Sequence, residues 1–125
     1  MTKILAVEDE GLVRMLIVET LESEGYAVLE APDGEAALSL VQSTPDLDLI
    51  VTDVRMPKMD GFQLAHAARR ERPNLSLLFV TGYLGTEVPK EFSADRILQK
   101  PFDPDKLAAT VREILAKGES AMTQG

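Results

Sequence analysis

Short apolar runs that each stop at a polar residue recur along this chain, and they limit its fold more than any other feature. Ile4 to Val7 ends at Glu8-Asp9-Glu10, and Leu47 with Leu49-Ile50-Val51 leads into Thr52-Asp53. Leu75 to Val80 closes on Thr81-Gly82, and Ile97-Leu98 precedes Gln99-Lys100. A strand that is apolar on both faces is covered on both faces, as in a parallel sheet. Between these runs the apolar spacing turns helical. Leu12, Val13, Leu16, Ile17, Thr20 and Leu21 form one such stripe, with Gly25 as its stop. Tyr26 to Ala31 alternates more and predicts a further strand. Asp33 is placed to cap a helix from Glu35 to about Ser43. Asp60 and Gln63 have capping-box spacing for a helix reaching about Arg72, ended by Pro73-Asn74. Asp103 and Pro104 suit the first positions of a last helix through about Ala116. Residues 83–92 favour no element, because Gly85 and Pro89 weaken a helix there. The expectation is one domain over residues 1–117 and a frayed, disordered tail over 118–125.

Strand and helix thus alternate five times with short connections, which predicts an α/β fold with helices on both faces of a parallel sheet. Right-handed crossovers bring the carboxyl ends of all strands to one edge, where such sheets bind ligands. Glu8 and Asp9, Asp53, Thr81 and Lys100 all fall at that edge. Three carboxylates held close together repel, and a hard divalent cation relieves the repulsion; magnesium favours this oxygen-rich setting. Thr81 offers a hydrogen bond to a phosphoryl oxygen and Lys100 a compact positive charge. Nucleophile, Lewis acid and charge neutralisation are the parts that phosphoryl transfer needs. Asp53 is the best nucleophile of the three, since it ends a central strand while adjacent Glu8 and Asp9 can share the metal.

Composition removes other classes. The formal net charge of -8 argues against nucleic acid or an anionic membrane surface as partner. With no cysteine there is no disulfide, thiolate catalysis or Cys-ligated zinc. No apolar stretch at the N-terminus reaches signal-peptide or membrane-span length, and a cytoplasmic location is expected. Aromatics are 5% and tryptophan is absent, so an aliphatic core is expected.

Four separated motifs stand in order: Val7-Glu8-Asp9, Val51-Thr52-Asp53-Val54-Arg55-Met56-Pro57-Lys58-Met59-Asp60-Gly61, Val80-Thr81-Gly82 and Lys100-Pro101-Phe102. Together they resemble the CheY-like receiver domains of two-component response regulators, over about residues 3–117. The resemblance implies a flavodoxin-like sheet of strand order 2-1-3-4-5. It implies that Asp53 accepts phosphate from a histidine kinase or histidine phosphotransfer protein and catalyses no metabolic reaction. Magnesium, or manganese or calcium in its place, is implied on Asp9, Asp53 and the backbone carbonyl of Arg55, with Glu8 acting through water. Thr81 and Lys100 are implied to bind phosphoryl oxygens, and Lys100-Pro101 to be a cis peptide. Receivers of this kind switch by pulling the threonine toward the phosphate, after which the segment following strand four shifts.

One position departs from many receivers, which carry an aromatic residue where this chain has Ile97. Instead Phe79-Val80-Thr81-Gly82-Tyr83 is similar to the FATGUY subgroup of stand-alone receivers. Thr81, Gly82, Tyr83 and Pro101 are therefore the expected switch residues, and residues 84–92 the expected mobile element. A monomer is expected, with an unidentified downstream protein as target or a role as phosphate sink.

Blander and competing readings stand beside this one. Glu8-Asp9-Glu10 alone would be a solvated acidic loop, and His66, among alanines on the third helix, is expected to be a surface or groove histidine. Of Leu12, Val13, Leu16, Ile17 and Leu21, some belong to the core and some to a partner-facing surface. A flavodoxin-like electron carrier needs a loop of backbone N–H groups after strand one, where this chain has three acidic residues. A magnesium phosphohydrolase needs a substrate pocket or cap domain, for which 125 residues leave little room.

Overall fold

The computed structural model describes residues 1–82 and 87–124, with side chains described as far as residue 118. Its strands are β1 (Lys3–Val7), β2 (Ala27–Ala31), β3 (Leu49–Asp53), β4 (Ser76–Thr81) and β5 (Arg96–Gln99). Its helices are α1 (Gly11–Ser23), α2 (Gly34–Ser43), α3 (Gly61–Glu71) and α4 (Pro104–Gln124). All strands are parallel and lie in the order β2-β1-β3-β4-β5. The chain therefore has the doubly wound, flavodoxin-like α/β architecture expected of it.

β3 sits at the centre, and Leu49, Ile50 and Val51 have no exposed surface. Each such side chain contributes about 1.5–3 kcal/mol of burial, so β3 is a stiff support for the residue that ends it. On one face of the sheet Ile50, Leu77 and Phe79 meet Ala37 and Val41 of α2 and Leu64, Ala65 and Ala68 of α3. On the other, Leu49, Val51 and Leu78 meet Ile17 and Leu21 of α1 and Leu107 and Val111 of α4. The α1 stripe thus divides: Ile17 and Leu21 are core, Val13 packs against it, and Leu12 and Leu16 are exposed.

Three differences from the sequence reading have physical causes. Among the described residues the β4–β5 connection carries a 3-10 turn, Lys90–Phe92, where the sequence favoured no element. Pro89 stands at its N-cap with an extended ψ of 145°, so the turn does not continue back through Pro89. The core is not wholly aliphatic. Phe79 and Phe92 are fully buried, and with Phe62 they form a cluster with ring centroids 4.8, 5.2 and 5.8 Å apart. This cluster fastens the 3-10 turn to α3. Finally, α4 continues to Gln124, past the expected end near Ala116. Residues 117–124 contain no proline, and a formed helix gains a hydrogen bond for each residue added. Among the described residues, no helix is long and apolar enough to cross a membrane.

Candidate functional site

The carboxyl edge of the sheet brings together four of the groups singled out from the sequence. β1 and β3 pair so that Val7 lies opposite Thr52, which places Glu8 beside Asp53. Carboxylate oxygens of Glu8, Asp9 and Asp53 lie within 4.8 Å of one another. Glu8 has no exposed surface and Asp53 is 7% exposed, whereas Asp9 faces solvent. Lys100 reaches in from the end of β5. Its Nζ donates to Asp53 Oδ2 at 3.2 Å and makes a closer ion pair with Glu8 Oε1.

Backbone geometry holds each group. The N–H of Lys100 donates to the carbonyl of Thr81 at 2.8 Å, joining the ends of β4 and β5. Thr81 is 5% exposed and Gly82 is exposed. The Lys100-Pro101 peptide is cis. The Arg55 N–H donates to Asp53 Oδ1 at 3.3 Å, tying the loop after β3 to the carboxylate. Tyr83 lies outside the described residues. His66 is an exposed α3 residue whose Nδ1 sits 3.0 Å from Glu91 Oε2.

The electrostatics follow from crowding. Burial, followed by contact with Glu8, pushes the Asp9 carboxyl above its ordinary value. Burial acts to lower Lys100, but its hydrogen bond to Glu8 and the charges of Asp53 and Glu8 outweigh that and raise it. Lys100 is therefore a cation throughout the neutral range. One lysine against three carboxylates leaves the pocket with surplus negative charge. An all-oxygen donor set with this surplus fits a hard divalent cation such as magnesium.

Two residues support the site in roles that the sequence reading did not assign. Gly61, the first residue of α3, donates its N–H to the Val54 carbonyl at 2.8 Å. A Cβ there would lie 2.3 Å from the Asp53 carbonyl oxygen, so only glycine lets α3 start this close to β3. Its place directly after the Asp60 cap was the available signal. Arg14, on α1, donates from Nη1 to the Glu8 carbonyl at 2.8 Å and from Nε to Glu30 Oε1 at 3.0 Å. Nothing local in the sequence marks a helical arginine for that contact.

The chain is similar to known proteins over most of its length. The family model "Response regulator receiver domain" matches residues 4–112. The sensor kinase CckA of Brucella abortus is 41% identical over 118 residues, covering 91% of this chain and 12% of CckA. This chain spans 48% to 50% of the length of several further relatives. The response regulator receiver protein CpdR of Brucella abortus is 34% identical over 92% of this chain and 98% of its own length. Among solved structures, the response regulator TrrA of Thermotoga maritima, in complex with magnesium and beryllium fluoride, matches with a TM-score of 0.82. It is 30% identical, covering 91% of this chain and 99% of TrrA. The chain belongs to the response regulator receiver domain family.

Proposed function

We propose that this domain is a phosphorylation-controlled binding module in which Asp53 accepts a phosphoryl group from a histidine kinase or histidine phosphotransfer protein. The observation that carries this reading is the placement of Asp53. Its carboxylate is nearly buried at the end of the central strand, grouped with Glu8 and Asp9, and 3.2 Å from the Lys100 ammonium.

In this reading an Asp53 carboxylate oxygen attacks the phosphorus of a phosphohistidine. The new bond is P–O, the broken bond is P–N, and the departing imidazole keeps its electron pair and takes a proton. Asp9, Asp53 and the Arg55 carbonyl hold magnesium, with Glu8 acting through water. When bound, the ion supplies Lewis-acid neutralisation of phosphoryl charge. Lys100 leaves its carboxylate partners to meet a phosphoryl oxygen, and Thr81 donates its hydroxyl to another. Gly82, Tyr83 and Pro101 follow these two groups in sequence and are the proposed points of response. The output is a contact with a downstream protein, or simple removal of phosphate from a kinase. TrrA's complex with magnesium and beryllium fluoride supports the ligand chemistry by likeness.

Replacing the acceptor is the direct test. Asp53→Ala is expected to fold yet take no label from a small phosphodonor that labels the wild type; equal labelling of both would end this reading. Magnesium is also expected to raise the melting temperature, by about 2.7 kcal/mol of stabilisation at a hundred times its dissociation constant. An unchanged melting point from trace to millimolar magnesium would contradict the proposed metal site.

A further inference from the structure

The β1–α1 loop lacks the local devices that normally fix a helix start. Glu10, the N-cap of α1, makes no side-chain cap, and the first turn carries no acidic residue. Its backbone places Glu8 and Asp9, so something else must hold it. Glu8 is constrained at every polar group. Its N–H donates to the Ala31 carbonyl at 3.2 Å, and its Oε2 accepts from the Glu10 N–H at 3.2 Å. Its Oε1 pairs with Lys100, and its carbonyl oxygen accepts from Arg14 at 2.8 Å.

We propose that Arg14 is a positioning residue that clamps this loop, so that Glu8 and Asp9 are presented to a divalent cation in one geometry. This rests on the phospho-acceptor reading. The guanidinium spans three elements: it grows from α1, holds the end of β1 through the Glu8 carbonyl, and is anchored to Glu30 on β2. Its side chain is 22% exposed, against 56% for Glu30, so its end of the pair is the sheltered one. The planar fork gives two donors at a fixed angle, which a lysine cannot reproduce. The hydrogen bonds of Arg14 go to the Glu8 carbonyl and to Glu30, so it acts through the backbone of Glu8. That is the part played by groups that orient metal ligands elsewhere in protein chemistry.

The sign of the effect separates positioning from simple charge. Removing a positive charge beside a cation site strengthens cation binding by Coulomb's law. Removing a clamp weakens it. For Arg14→Ala the expected result is magnesium affinity roughly tenfold weaker than wild type, measured by calorimetric titration with magnesium chloride. Unchanged or tighter binding overturns the proposal. Arg14→Lys keeps the charge and loses the fork, so it is expected to fall between the two; wild-type affinity there also overturns the clamp. This variant carries the test should Arg14→Ala not fold. A second readout needs no metal. The Glu10 amide, held by Glu8 Oε2, is expected to exchange with solvent faster in either variant than in wild type, read by NMR. An unchanged rate counts against the clamp. If wild type itself binds no magnesium, the phospho-acceptor reading falls, while the clamp is still judged on Glu10 exchange.

Discussion

The loop after β3 is closed by its own residues, whereas the loop after β1 is closed from a distance. In the first, Asp60 Oδ1 accepts from the Gln63 N–H at 2.8 Å while Gln63 Oε1 accepts from the Asp60 N–H at 2.9 Å. Met59 N–H donates to the Pro57 carbonyl at 2.9 Å, and Lys58 takes a φ of 70° to make the turn. In the second, the helix cap contributes no side-chain bond; Glu8 Oε2 accepts from the Glu10 N–H, and Arg14 and Lys100 hold the loop from other elements. Both loops border the same pocket: the first follows Asp53, the last residue of β3, and the second carries Glu8 and Asp9. A loop encoded locally tolerates change elsewhere in the protein, while one held by remote contacts moves when its partners move. The Asp53 side of the pocket is thus the fixed side, and the Glu8-Asp9 side is the adjustable one.

The sharpest way to break this contrast is to push on the fixed side. In Gly61→Ala the new methyl would meet the Asp53 carbonyl oxygen at 2.3 Å and the Val54 Cα at 3.0 Å, both backbone atoms that cannot swing aside. Overpacking of this kind is expected to cost about 3 kcal/mol in denaturant unfolding. The magnesium response should weaken with it, because the strain falls on the Asp53 backbone. A stability loss without any change at the site would mean that α3 moves as a body and that β3 is less fixed than its burial implies.

Caps give the next largest effect. Asp60→Ala removes the acceptor for the Gln63 N–H and is expected to cost about 1 kcal/mol. Glu10→Ala removes no side-chain cap and is expected to stay within about 0.5 kcal/mol. Thermal unfolding of the two variants side by side measures the asymmetry directly, and equal losses would erase it.

The same contrast explains what could be read from the sequence. The strand ends were legible because an apolar run that stops at a charge has few alternatives in a parallel sheet. From that followed the convergence of Glu8, Asp9, Asp53 and Lys100. The α3 start was legible because Asp60 and Gln63 are three residues apart, within the reach of local pattern. Arg14 was not, since its partners are the Glu8 carbonyl and Glu30, on two other strands or their ends. The division of Leu12 and Leu16 from Ile17 and Leu21 also needed the packing, because one broad stripe served two faces. The 3-10 turn at Lys90–Phe92 depended on where Phe92 found its aromatic neighbours, which no local pattern records.

The smallest expected effect concerns the adjustable side alone. Asp9 faces solvent, yet desolvation and the nearby Glu8 carboxyl raise its pKa above the ordinary value. A carboxyl whose folded pKa lies above its unfolded one binds protons more tightly when folded. Its charge therefore penalises the fold above the folded pKa, and the penalty fades as pH falls through that value. Without magnesium, Asp9→Asn is expected to melt slightly higher than wild type at neutral pH, with the gap closing as the solution is acidified through the acidic range. With magnesium the order should reverse, because the variant lacks one of the carboxylates proposed to hold the cation. A melting series over pH, with and without magnesium, reads both signs. If Asp9→Asn were less stable than wild type in metal-free neutral solution, the Glu8-Asp9 loop would be held by the Asp9 charge itself, and the division between a fixed and an adjustable side would fail.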